Sequence, residues 1–201
     1  MKTTYLLAAL ALSLATGAFA SPITYTAALS GPNESPANTS PGTGFATVIF
    51  DSVAHTLAVT VDFSGLEGTT TASHIHCCTP SPFSGTAGVA TQTPTFVDFP
   101  LGVTSGTYSN SFDTSLASTY NPAFVAANGG SVSATEAAFA AGLAANETYL
   151  NVHSSVFPGG EIRGFLVASS AVPEPGTLGL AGLVLGGLLV YRKRKFSLLP
   201  R

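Results

Sequence analysis

The sequence predicts an all-β protein, an antiparallel Greek-key-like β-sandwich with one or two short helices in its connections. Three observations carry that prediction. Seven or so short runs alternate apolar and polar residues, clusters of Pro, Gly, Asn and Ser separate them, and only two stretches carry helix-start signals. Period-two alternation marks a strand with one face buried, because successive side chains point to opposite faces of a sheet. The clearest case is 55–63, HTLAVTVDF, where Leu57, Val59, Val61 and Phe63 share one face and Thr56, Thr60 and Asp62 the other.

Taken in order, strands are expected at 23–29, 44–51, 55–63, 71–77, 106–112, 148–154 and 161–168. Asn121-Pro122 offers an N-cap followed by proline at the first helical position. Ser133-Ala134-Thr135-Glu136 is a capping-box pattern opening an Ala-rich run to Ala145. Residues 78–105 hold Pro80, Pro82, Pro94 and Pro100 and read as an irregular loop with one short strand near 95–99.

Both ends read as addresses. Residues 1–20 place Lys2 before an apolar run and close on Ala18-Phe19-Ala20, the small-x-small pattern cut by signal peptidase, so a signal peptide is expected there. Residues 171–201 carry Pro173-Glu174-Pro175, an uncharged stretch to Tyr191, and then Arg192, Lys193, Arg194 and Lys195. That is the layout of a short transmembrane helix with a cytoplasmic basic end. A helix over 177–191 would reach roughly 22 Å against about 30 Å of hydrocarbon, a marginal anchor. One domain, 21–170, is expected between the two ends.

Charge narrows the function. Six of the seven basic residues lie in the ends, which leaves Arg163 as the sole cation against ten carboxylates in residues 21–175. Such a surface repels phosphate backbones, so no nucleic-acid partner is expected. The chain has no Gly-x-Ser-x-Gly nucleophile motif, and no catalytic residues are assigned.

The chemistry concentrates in SHIHCCTP, residues 73–80. If 71–77 is a strand, His74 and His76 leave one face and Ile75 the other, a workable metal-chelating geometry. His153 lies on the polar side of its own strand with Tyr149 and Asn151. Pairing of the two strands would bring it to His74 and His76 beneath the turn Pro158-Gly159-Gly160, with Glu161 the nearest carboxylate able to orient the rings. The same imidazoles could instead hydrogen-bond to loop backbone and Glu161 without any metal. A metal held by neutral imidazoles should be released as pH falls through about 6. His55, in DSVAHT, reads as a surface turn residue. Cys77 and Cys78 are the only cysteines. Their adjacent α-carbons lie about 3.8 Å apart, under the roughly 4.4 Å lower limit of ordinary disulfides. An oxidising exterior disfavours free thiols. A disulfide between the two acting as a rigid turn, an intermolecular bridge and soft-metal ligation are the options.

Three blocks in order, ASHIH (72–76), FPLGVTSGTYSNSFD (99–113) and GLAANETYLNVHSSVFPGGEIRGFL (142–166), resemble the chordin-type CHRD domain over roughly residues 23–168. Asn151-Val152-His153 followed by Phe157 to Gly164 is similar to the family's closing signature. One departure is Cys77-Cys78-Thr79-Pro80, which stands where the family turns through glycines. The C-terminal end resembles a PEP-CTERM sorting signal through Pro173, Glu174 and Pro175. That likeness implies an exosortase-type partner that removes the tail. It also implies a Gram-negative origin, passage from membrane anchor to cell surface or extracellular matrix, and company with exopolysaccharide production.

Together the residues and the resemblance lead to an expectation of an exported surface or matrix module with a non-enzymatic binding or structural role. Its partners would be extracellular polysaccharide or surface proteins. The alternative is a copper or zinc redox protein resembling a superoxide dismutase through the histidines.

Overall fold

The computed structural model describes residues 22–169. Eight strands form one curled antiparallel sheet: β1 (Ile23–Ser30), β2 (Thr43–Asp51), β3 (Thr56–Ser64), β4 (Thr70–His76), β5 (Gly106–Asp113), β6 (Tyr149–Ser154), β7 (Ile162–Phe165) and β8 (Val167–Ala168). Their order is β4-β6-β7-β1-β2-β3-β5, and β8 pairs with β1. The predicted alternation is literal in β3, whose Leu57, Val59, Val61 and Phe63 are buried while their neighbours face outward. Tyr25, Ala27 and Leu29 of β1 and Ala46, Val48 and Phe50 of β2 do the same. Burying a side chain of the larger apolar kinds contributes roughly 1.5–3 kcal/mol. The curl brings Ile75, Leu150, Val152 and Ile162 of the β4-β6-β7 arm against the same core, so the layers of the sandwich are two arms of one hydrogen-bonded sheet.

The helices are α1 (Pro122–Ala127) and α2 (Val132–Ala144). Asn121 caps α1 as expected, its side chain accepting from the Ala123 amide. For α2 the cap is Ser131, which accepts from the Ala134 amide, and not the Ser133 of the predicted capping box. The box cannot close because the Glu136 carboxylate is engaged by the ring of His55 and the hydroxyl of Thr114.

Two other expectations change. The 161–168 run divides into β7 and β8, since the Leu166 amide turns to Thr148 and its side chain enters the core. No strand forms at 95–99. Instead residues 88–104 follow the free edge of β4, with the amides of Ala90, Phe96 and Gly102 donating to Ile75, Ser73 and Thr70. Pro94 and Pro100 lack the N–H groups that a regular ladder there would need. An exposed edge is a template for unwanted pairing, and this segment covers it.

Strands β6 and β7 and residues 73–76 of β4 differ from the rest because both of their faces are buried. One face meets the core; the other lies under loops that contain Asn33, Gly85, Ala87, Pro94 and Pro158, each of which accepts a hydrogen bond from it. The expected signal peptide, sorting motif and C-terminal transmembrane helix lie outside the described residues. Among those described, no helix is long and apolar enough to cross a membrane.

Candidate metal centre

The site grows from antiparallel pairing of β4 with β6, in which His74 faces Asn151, His76 faces Tyr149 and Ala72 faces His153. Residues at alternate positions share a face, so His74, His76, Tyr149, Asn151 and His153 all leave the sheet on the side away from the core. The rings of His74 and His153 have centroids 5.0 Å apart, those of His74 and His76 5.6 Å, and those of His76 and His153 6.1 Å. One nitrogen from each ring lies within 4.8 Å of the other two.

Each ring is fixed through its other nitrogen by a main-chain carbonyl. His74 Nε2 donates to Pro94 (2.6 Å), His76 Nδ1 to Ala87 (2.9 Å) and His153 Nδ1 to Pro158 (2.9 Å). A carbonyl oxygen only accepts, so each of these nitrogens carries the proton and the opposite one keeps its lone pair. The opposite nitrogens are His74 Nδ1, His76 Nε2 and His153 Nε2, all buried and without a hydrogen-bond partner. Buried polar atoms are nearly always satisfied, so three unpartnered nitrogens on one cluster of rings make the site one able to take a shared ligand.

Electrostatics keeps the rings neutral. Burial pushes all three below the usual histidine range. For His76 it prevails over the Ala87 hydrogen bond and, with His74, His153 and Arg163 nearby, brings the value down to about 4. Neutral imidazole is the form able to bind a metal, and burial preserves it below the pH of about 6 at which an unperturbed histidine begins to charge.

Behind His76 the Tyr149 ring stacks at 4.7 Å with planes 6° apart, and the Arg163 guanidinium lies 4.6 Å from the Tyr149 centroid. The Tyr149 hydroxyl bonds to the Ala87 backbone, which steadies the carbonyl that holds His76. Arg163 ties β7 to two loops through Asn33 and Gly85 and sits 3.8 Å from Glu34. Glu34 accepts from Asn151 at 2.8 Å, and burial drives its carboxyl up to about 7 against the opposing pull of Arg163. Gly160 packs on this pair so closely that a Cβ there would collide with both Glu34 and Asn151.

Two sequence expectations need comment. Glu161 does not orient the histidines: its fully buried carboxylate accepts from Ser40 (2.6 Å) and from the amides of Glu67 (2.6 Å) and Gly68 (3.3 Å). Burial would raise its pKa, but these bonds and one from Ser154 hold it below the usual carboxylate range, so it staples three segments together. Cys77 and Cys78 are joined to each other, and their sulfurs abut Gly142 of α2. Tyr149 and Asn151 were legible as polar-face partners of His153. Glu34 and the three ring-holding carbonyls were not, because no local pattern marks them.

Comparison with protein-family models matches the CHRD domain over residues 25–166 and a PEP-CTERM protein-sorting motif over 171–195. Neither curated proteins nor solved structures yield a match. The sorting motif marks the chain for recognition by an exosortase-type enzyme and hence for export in association with the membrane. Since the family model spans well over half of its length, the chain belongs to the CHRD family.

Proposed function

We propose that this protein is an exported, non-enzymatic surface module whose CHRD domain holds one transition-metal ion, copper or zinc, between His74, His76 and His153. The observation behind this is that His74, His76 and His153 offer ring nitrogens within 4.8 Å of one another, and that each ring keeps one buried, unpartnered nitrogen while its other nitrogen is anchored to a different loop. Metal–nitrogen bonds are about 2.0 Å, which puts ligand nitrogens about 3.5 Å apart, so the rings need to close by about 1 Å. Such an ion ties β4 and β6 to the segments around Ala87, Pro94 and Pro158 and gives the loop face its rigidity. A purely hydrogen-bonded cluster accounts for the three nitrogens that meet carbonyls and leaves the other three without a donor.

Metal analysis of the full chain, purified without chelators, tests the proposal. One ion per chain is expected, with a fall in Tm on chelation that the His153→Ala variant no longer shows. A chain that stays metal-free after exposure to both copper and zinc would overturn it. The dismutase-like alternative uses the same ligands and predicts catalytic loss of superoxide by the loaded chain, whereas binding without turnover is expected here. The surface role, with envelope polysaccharide or protein as partner, predicts altered adhesion or matrix composition when the chain is deleted.

A further inference from the structure

We infer that the ion this centre is built for is monovalent copper, held by the three imidazoles alone. The inference rests on the metal proposal above and narrows it by donor set, burial and charge. All three donors are nitrogens. The nearby carboxylates are engaged elsewhere, Glu161 with Ser40 and the amides of Glu67 and Gly68, and Glu34 with Asn151. Oxygen-seeking ions such as calcium, magnesium and manganese, which take several oxygen ligands, therefore find no free carboxylate there. Thiolate is missing as well, because Cys77 and Cys78 are spent on each other. Among the described residues, no fourth histidine, cysteine or carboxylate joins the group.

Coordination number then separates the remaining candidates. Zinc is nearly always four-coordinate, and divalent copper favours a tetragonal set of at least four ligands. The unpartnered nitrogens are buried, and each ring is pinned by its carbonyl, so the rings cannot swing out to recruit a donor from solvent. Monovalent copper, a closed-shell ion, is satisfied by three nitrogens.

Charge points the same way. No ligand is anionic, and the Arg163 guanidinium lies over the Tyr149 ring that stacks on His76. The desolvation cost of an ion grows as the square of its charge, so a singly charged ion costs about a quarter of what a doubly charged one does in the same site.

The full chain is titrated without oxygen, with ascorbate and not a thiol as reductant, and with thiol counting to verify that Cys77–Cys78 stays oxidised. Competition with bicinchoninate gives the affinity for monovalent copper, competition with a chromophoric chelator that for zinc, and X-ray absorption counts the nitrogen neighbours. Expected are one copper per chain, three nitrogens, and binding at least about 100-fold tighter than that of zinc. The His55→Asn variant should match the parent, and His153→Asn should lose stoichiometric binding while keeping its β-sheet circular dichroism. Zinc held as tightly, or a four-coordinate ion, would overturn this inference and leave the metal proposal standing. No binding of any ion would overturn both.

Discussion

His55 and Glu34 both hold a proton more firmly in the folded chain than when free, for opposite reasons. His55 sits 2.9 Å from a carboxylate oxygen of Glu136, and the hydrogen bond and charge of Glu136 raise its pKa. A raised folded-state value means that the stabilisation is complete below the unfolded pKa of about 6.5 and is lost as pH rises through the folded value. The Tm difference between the parent and His55→Asn should therefore be present near pH 5, modest because the ring is half exposed, and shrink towards pH 9. A gap that widens with pH would contradict the pairing. Glu34 has the same sign with a different cause, since burial lifts its carboxyl from 4.5 to about 7. Its proton is favourable to the fold at low pH, and its charge is a burden once pH passes 7. Glu34→Gln keeps an acceptor for Asn151 and removes that burden. Denaturant unfolding near pH 8 should show a gain of about 1–3 kcal/mol that vanishes near pH 5.

At the scale of elements, α2 meets the sheet arm through Gly142, where a Cβ would collide with both sulfurs of Cys77–Cys78 and lie 3.3 Å from the Thr148 methyl. Two effects oppose each other in Gly142→Ala. Alanine gains about 1 kcal/mol of helix propensity over glycine, while overpacking costs about 1–3 kcal/mol. The bonded sulfurs cannot turn aside as a free side chain would, and the Cys77 amide is held by Gly88, so overpacking should win. Thermal unfolding is expected to show a lowered Tm; a raised one would mean that α2 shifts freely over the disulfide.

For the whole molecule, metal retention and processing are the accessible readouts. Because burial lowers all three histidine values, the ion should stay bound as pH falls through about 6 and leave only at lower pH. Dialysis of loaded protein at stepped pH measures this, and half-release at or above pH 6 would contradict the buried geometry. Mass spectrometry of the exported protein should find a chain that begins near Ser21 and lacks the Arg192–Lys195 cluster. Recovery of Met1 or of an intact basic tail would refute the proposed processing.

How much of this was legible depended on the range of the interaction. Alternation is local, so Leu57 to Phe63 declared their buried face, and His74 and His76 declared a common one two residues apart. The family likeness was legible for the same reason, in contiguous blocks such as Asn151-Val152-His153 and Phe157 to Gly164. Tertiary structure alone decided which nitrogen of each ring faces inward, because the choosing carbonyls of Ala87, Pro94 and Pro158 belong to irregular loops with no periodic signal. It also turned Glu161 towards Ser40 and paired His55 with Glu136 across the fold. A hydrogen bond to a distant partner is settled by which surfaces are buried together, and burial is a property of the folded chain and not of any stretch of its sequence.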